Sequence, residues 1–210
     1  MIKTTRDFFL DIDHYQFCKH RQYVAGDVFL THKIKEENRV IAVLSDGLGS
    51  GIKASVLATL TATMALKYTS AYADVRDTAE VIMDTLPVCK VRRISYSTFT
   101  IVDINSTGHA RVIEHGNPEY ILLRGSEPVA VTKTPIQLEK WHDREVNFSE
   151  FDVHIGDRIL YFSDGVSQAG MGRPDFPLGW GSRKVIQQVQ KWLEWQDSIS
   201  SRQLAMKTVI

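Results

Sequence analysis

Apolar residues in this chain gather into short unbroken runs, and two of those runs end in the same three residues. Arg39-Val40-Ile41-Ala42-Val43-Leu44 leads into Ser45-Asp46-Gly47, and Arg158-Ile159-Leu160-Tyr161-Phe162 leads into Ser163-Asp164-Gly165. Runs of β-branched, aliphatic and aromatic residues bounded by glycine predict buried strands. Residues 52–72 follow another rhythm: rich in Ala, Leu, Thr and Met, without Gly or Pro, their apolar positions fall three and four apart. That spacing predicts a helix. A second helix is predicted over 75–86, stopped by Pro87, and a third, amphipathic, over 182–195.

The remaining pattern is strand-like. His14, Gln16, Cys18 and His20 would share one face of a first strand, with Tyr15 and Phe17 on the other. Gly26-Asp27-Val28-Phe29-Leu30 starts a second strand, and Glu36-Glu37-Asn38 is a polar turn before the Val40 run. Further strands are predicted at 97–104, 110–114, 119–124, 128–132 and 144–148, with turns at Asn105-Ser106-Thr107-Gly108 and Arg124-Gly125-Ser126-Glu127. Residues 166–174 read as an irregular loop. Strands, a helix pair, more strands and a last helix give an α+β or α/β sandwich of mostly antiparallel sheet, with helices packed outside.

Composition narrows the function classes. With 210 residues and 43% hydrophobic content, one sizeable core and a single domain (1–210) are expected. Lys and Arg total 25 and so do Asp and Glu, which gives no whole-chain attraction to nucleic acid or an anionic membrane. No apolar stretch approaches the ~20 residues that span a bilayer, and the start Met-Ile-Lys-Thr-Thr-Arg-Asp lacks the apolar segment of a secretion signal. Cys18 and Cys89 are the only cysteines, so no disulfide framework is expected and a reducing, cytoplasmic setting fits. The seven histidines show no His-Glu-x-x-His spacing, and His14, Cys18 and His20 read as ordinary packing.

The two Ser-Asp-Gly segments carry the chemistry. Asp-Gly often marks a hairpin, but a hairpin needs a second strand at once, and here a helix follows one copy and a loop the other. An acid at the end of a buried strand is costly unless something answers its charge, and two such acids suggest a shared cation. Gly47-Leu48-Gly49-Ser50-Gly51 is not a dinucleotide fingerprint, since Ile52 stands where its last glycine belongs; Gly51-Ile52-Lys53 is not a Walker loop either. These glycines let backbone approach a cation and leave a helix N-terminus facing an anion such as phosphate. Asp27, after Gly26, adds a third acid, and carboxylate and carbonyl oxygens suit hard divalent cations.

Gly26-Asp27, then Val43-Leu44-Ser45-Asp46-Gly47-Leu48-Gly49-Ser50-Gly51 opening a helix, then Gly116-Asn117-Pro118, then Phe162-Ser163-Asp164-Gly165-Val166 occur in that order. The order and spacing resemble the metal-dependent protein serine/threonine phosphatases (the PPM family), specifically the bacterial branch typified by the sporulation phosphatase SpoIIE. The resemblance implies an α+β fold, an antiparallel β-sandwich flanked by helix pairs, with two Mn²⁺ or Mg²⁺ ions at one end. It implies that Asp46 bridges both ions and that the Gly47 carbonyl binds one. Asp164 then binds the other, and Asp27 holds a metal directly or through water. Asp27, Asp46 and Asp164 would be the catalytic set. The implied reaction is attack of metal-activated water on phosphoserine or phosphothreonine of a protein. The implied substrate is a small phosphorylated regulator of the anti-sigma-factor-antagonist kind, and the helices after Gly51 would be its docking surface. Arg92 and Arg93 read as a solvated basic surface rather than as phosphate ligands.

Two departures from the family pattern matter. Leu48 stands where many eukaryotic members carry a general-acid histidine. The family also supplies a further metal-binding aspartate just before a last strand. Asp175 and Asp197 are the only aspartates after Asp164, and neither precedes a strand-like run. The expectation is therefore a domain truncated at its C-terminus, with the last strand missing, one ion held weakly and the open edge covered by self-association. The alternative is a catalytically impaired, phosphatase-like binding module in signalling.

Overall fold

The computed structural model describes residues 10–18, 22–71, 74–85, 97–138, 140, 144–197 and 205–209. The early strands are β1 (Asp11–Tyr15), β2 (Asp27–Ile34) and β3 (Arg39–Gly47), followed by helices α1 (Ile52–Ser70) and α2 (Val75–Thr85). Next come β4 (Ser97–Ile104), β5 (His109–His115), β6 (Ile121–Arg124), β7 (Glu127–Val129), β8 (Thr134–Pro135), β9 (Asn147–Asp152) and β10 (Asp157–Leu160). Helices α3 (Asp164–Ser167) and α4 (Gly181–Asp197) precede β11 (Ala205–Val209). A six-stranded sheet runs in the order β2-β3-β4-β5-β9-β8 and a three-stranded one in the order β10-β6-β7, every neighbour antiparallel. β1 and β11 pair separately, in parallel.

The two-residue period of the central strands builds the layers. Ile41 and Val43, Phe99 and Ile101, and Ile113 face one side of the large sheet and pack on Ala62 and Ala65 of α1 and on Ile82 and Met83 of α2. The alternate residues Ala42, Leu44, Val102, Ile104 and Val112 face the other side and meet Tyr120, Leu122 and Ile159. The far face of the small sheet, with Ile121, Leu123 and Leu160, packs on Val185 and Leu193 of α4. The result is four layers, helix, sheet, sheet, helix. Each buried Leu, Ile, Phe or Met side chain contributes roughly 1.5–3 kcal/mol. On α1 the fully buried residues are Ala54, Ala58, Thr61, Ala62 and Ala65, side chains small enough to seat the helix close on the sheet.

Buried charge at the far end of β3 is answered in full. Arg39, 2% exposed, donates from Nε and Nη2 to the two Asp103 carboxylate oxygens at 2.7 and 2.9 Å. The same Nη2 donates to the Thr69 carbonyl at 2.7 Å, closing the C-terminal turn of α1. Arg111 adds a bond to Asp103 at 2.5 Å.

Several sequence expectations are corrected. β1 stops at Tyr15, where Gln16 leaves the strand and donates to the Asp27 carbonyl at 2.6 Å, so Gln16 and Cys18 do not continue the face of His14. Cys18 is an exposed free thiol, and His20 and Cys89 lie outside the described residues. The strand expected over 128–132 ends at Val129, on an edge where Pro128 leaves no ladder bond unmade. The strand expected from 144 begins at Asn147. The segment after Ser163 opens with one helical turn, α3, rather than an irregular loop. The end of the chain, expected to lack its strand, forms β11. A parallel pairing between strands almost the whole chain apart leaves no local turn signal, yet it satisfies backbone groups that β1 would otherwise leave open. Among the described residues no helix is long and apolar enough to cross a membrane.

Candidate active site

The antiparallel register of β2 and β3 sets Asp27 directly opposite Asp46, and on the other flank Asp46 faces Thr98 of β4. Next to Asp46, the Gly47 amide donates to the Gly26 carbonyl at 3.2 Å. Gly47 is bare because α1 sits against it: a Cβ there would lie 2.1 Å from the Ala54 carbonyl oxygen. The first turn of α1 can therefore abut the end of β3 only if this position carries no side chain.

The third acid arrives from the other sheet. Beyond β10, Tyr161, Phe162 and Ser163 stay buried and carry the chain to Asp164, the first residue of α3. Ser163 Oγ donates to Asp27 Oδ2 at 2.9 Å, and Gln168 Nε2 donates to Asp164 Oδ2 at 3.0 Å. Asp46 lies between the other two acids. Burial pushes its pKa up to about 8, with Asp27 and then Asp164 adding to the rise. The fold thus brings Asp27, Asp46 and Asp164 to one place, as the sequence predicts, although they are spread from position 27 to position 164.

Among the described residues no three His, Cys, Asp or Glu side chains form a ready-made metal cage. The donor set nevertheless fits a hard divalent cation. It consists of carboxylates with a backbone carbonyl at Gly47, and the central carboxylate is one whose ionised form its surroundings oppose. A cation at Asp46 would reverse that opposition.

Asp46, Gly47 and Asp164 open onto a cleft of about 620 Å³, whose far side is built by the ends of β5 and β9 and by Gly116 and Asn117 of the turn between them. Gly116 has φ +72°, and a Cβ there would stand 2.7 Å from Thr98 Cγ2, so the turn is pressed onto β4. Asn117 Nδ2 donates to Thr100 Oγ1 at 3.0 Å, and the Thr98 hydroxyl bonds Asn117 Oδ1. Ser97 Oγ donates to the Asp46 carbonyl at 3.0 Å. A layer of hydroxyls thus lies between the turn and the backbone of Asp46. Burial raises the pKa of Glu114, against the opposing bonds from Lys133 Nζ at 2.6 Å and the Tyr120 amide at 2.7 Å. Burial lowers that of His115; its Nδ1 bonds the Glu145 carbonyl at 2.9 Å, which opposes the shift, and the nearby Arg144 charge adds to it.

A family model, Stage II sporulation protein E (SpoIIE), matches residues 36–188, most of the chain. The chain belongs to the SpoIIE family. No curated protein matches it. Among solved structures it is similar to the RsbU and RsbW domains of a Mycobacterium tuberculosis protein, at 18% identity and TM-score 0.64, over 86% of this chain and 49% of that one. It is also similar to the PP2C phosphatase domain with a regulatory fragment of SpoIIE from Bacillus subtilis, at 20% identity and TM-score 0.60, over 89% and 57%. RsbX, solved in complex with magnesium, matches at 22% identity and TM-score 0.56, over 85% of each chain. The chain spans about half the length of the first two structures. At these identities the likeness shows the fold, which is that of the PP2C-type (PPM) phosphatases.

Within this SpoIIE-family site, sequence reasoning missed Glu114, His115, Glu119 and Arg144, all of which line the cleft. Only the Gly116-Asn117-Pro118 motif beside them offered a signal. Nothing local marks Arg144, because its place depends on the pairing of β5 with β9. Arg92 and Arg93 lie outside the described residues, and Asp175 is exposed and does not line the cleft.

Proposed function

We propose that this SpoIIE-family chain is a protein phosphatase that hydrolyses phosphoserine or phosphothreonine with Mn²⁺ or Mg²⁺. The observation that carries this reading is the position of Asp46, half-buried between Asp27 and Asp164 at the tip of β3. Asp46 would hold two ions, with the Gly47 carbonyl on one, Asp164 on the other and Asp27 ligating directly or through water. When bound, such ions supply an activated water and neutralise charge on the phosphoryl oxygens. The chain's own residues keep the acids in place. Ser163 orients Asp27, Gln168 orients Asp164, and the hydroxyls of Ser97 and Thr98 hold the backbone at Asp46.

A protein substrate suits the surroundings. Glu119 and Glu145 on the rim are exposed, so the cleft admits a side chain presented from outside. On α1, next to the site, Ile52, Val56 and Leu60 form an exposed apolar row at four-residue spacing. The proposed partner is a small phosphorylated regulator of the anti-sigma-factor-antagonist kind, in a cytoplasmic pathway. The test is turnover of p-nitrophenyl phosphate and of a phosphoserine protein with added Mn²⁺, then with chelator. Turnover that appears with the metal and vanishes with chelator supports the reading. Binding of the phosphoprotein without turnover would instead support a catalytically impaired binding module, the reading favoured by the position of Asp175 away from the cleft.

A further inference from the structure

We propose that Ser163 is a positioning residue that spans the two sheets: its hydroxyl latches Asp27, on the large sheet, to the segment that delivers Asp164 from the small one, and so fixes the span across which a cation is held. This deepens, and rests on, the metal-dependent phosphatase reading above. In both Ser-Asp-Gly segments the acid and the glycine have a place at the site, while the serines, 0% and 1% exposed, face elsewhere. Ser45 Oγ lies 2.6 Å from Ser97 Oγ and donates to the Thr98 carbonyl at 2.8 Å, so it ties β3 to β4. Ser163 reaches a carboxylate instead, donating to Asp27 Oδ2 at 2.9 Å.

Ser163 gives up its ordinary role to do so. It is the N-cap of α3, the position where a serine oxygen usually accepts from an amide of the first turn. Its hydroxyl makes no capping bond; it is directed across to β2. The backbone that carries it is fixed on both sides. Tyr161 and Phe162 before it are buried, and its own carbonyl accepts from the Val166 amide at 3.2 Å.

The bond is one of two rungs between the sheets. β2 is an edge of the large sheet and β10 an edge of the small one. Asp27 and Phe29, two apart on β2, share a face. Tyr161 and Ser163, two apart on the chain leaving β10, meet them in turn. The rings of Phe29 and Tyr161 stand 6.2 Å apart at 45°, within the core between the sheets. That apolar rung holds the layers together without the serine. The polar rung decides how Asp27 sits relative to Asp164, the residue next to Ser163. A carboxylate at a strand end otherwise chooses among several rotamers. The hydroxyl removes that freedom before a cation arrives, and a pre-organised ligand set binds more tightly.

The experiment is calorimetric titration of Mn²⁺ into the full chain, with melting temperatures in chelator alongside. It compares wild type, Ser163→Ala, Ser163→Thr, Asp27→Asn and the double variant Ser163→Ala with Asp27→Asn. Ser163→Ala should bind Mn²⁺ about tenfold or more weakly, the scale of a lost hydrogen bond to a charged group. Its melting temperature should stay close to wild type, because the Phe29–Tyr161 rung is intact. Ser163→Thr keeps the hydroxyl and should recover most of the affinity. In the Asp27→Asn background the serine has no charge to hold, so Ser163→Ala should add little there. Wild-type Mn²⁺ affinity in Ser163→Ala, with or without a lowered melting temperature, overturns the proposal. So does an equal loss with and without the Asp27 carboxylate, or a wild type that binds no Mn²⁺. The parent reading fails separately: a wild type that binds Mn²⁺ through this latch yet turns over neither p-nitrophenyl phosphate nor a phosphoserine protein is not a phosphatase, and Ser163 still stands as the residue that positions Asp27.

Discussion

Asp27 and Asp46 are opposed carboxylates on neighbouring antiparallel strands, an arrangement that costs stability unless a cation intervenes. Ser163 donates to Asp27, and Asp46, the more deeply set, has its pKa pushed up to about 8 by burial and by its two acidic neighbours. Asp46→Asn removes the charge while keeping the shape. In chelator the variant should melt at or above the wild-type temperature, since it relieves the repulsion. With Mn²⁺ present its turnover should fall at least about a hundredfold, as expected when a group central to the charge balance of a site is lost. A variant that melts lower and still turns over substrate would remove Asp46 from the centre of the site.

Gly47→Ala tests how closely α1 approaches the site. The added methyl would stand 2.1 Å from the Ala54 carbonyl, so either α1 shifts or the end of β3 does. Forced overpacking against backbone costs typically about 1–3 kcal/mol, and this contact calls for the upper end. Chemical denaturation gives the stability loss directly, and turnover should fall with it because Asp46 is the adjacent residue. A substitution tolerated within a few tenths of a kcal/mol would show that α1 is not seated as described.

Asn117→Ala tests the hydroxyl layer behind Asp46. The change deletes the bond to Thr100 and the partner of the Thr98 hydroxyl, both partly buried. The expected cost is about 1–3 kcal/mol in denaturant titration. Weaker Mn²⁺ binding should accompany it, because Thr98 and Ser97 also hold the Asp46 carbonyl. Unchanged Mn²⁺ affinity would confine Asn117 to a structural role.

The layered fold was legible because the runs at Val40–Leu44 and Ile159–Phe162 are short, apolar and bounded by glycine, and because Ala, Leu and Met recur at helical spacing after Gly51. The meeting of Asp27, Asp46 and Asp164 was legible for a related reason: Asp27 opens β2, Asp46 stands near the end of β3 and Asp164 follows the buried run that leaves β10, and strand ends cluster at one edge of a sandwich. What escaped depends on long-range pairing. The place of Arg144 follows from the β5–β9 register, and β11 pairs with β1 in parallel across nearly the whole chain. Neither leaves a local pattern. The β1 face of His14 and Cys18 failed for the opposite reason: the alternation is real, but Gln16 finds a better bond at the Asp27 carbonyl and ends the strand.

Asp157 gives the fold a specific acid sensitivity. Its side chain is 1% exposed and faces Arg124 across the β10–β6 ladder, accepting from Arg124 Nε and Nη2, both at 2.9 Å, and from the His154 amide, also at 2.9 Å. Burial alone would raise its pKa; the bonds from Arg124 and His154 outweigh that and hold the pKa below the ordinary carboxylate value of 3.8. The folded state therefore binds this proton less readily than the unfolded chain. The stabilisation is complete above the ordinary carboxylate pKa and is lost as pH falls through the lowered one. Asp157→Asn should cost about 1–3 kcal/mol near neutral pH, the scale of hydrogen bonds to a charged group. The gap between wild type and variant should then close below about pH 4, where the wild-type carboxylate also takes its proton. Because β10 leads directly to Ser163 and Asp164, the variant should also loosen the site and lower turnover at neutral pH. Urea titrations of both proteins from pH 7 down to pH 3 measure the gap, and one that stays constant across that range would show that the Arg124 pair does not set it.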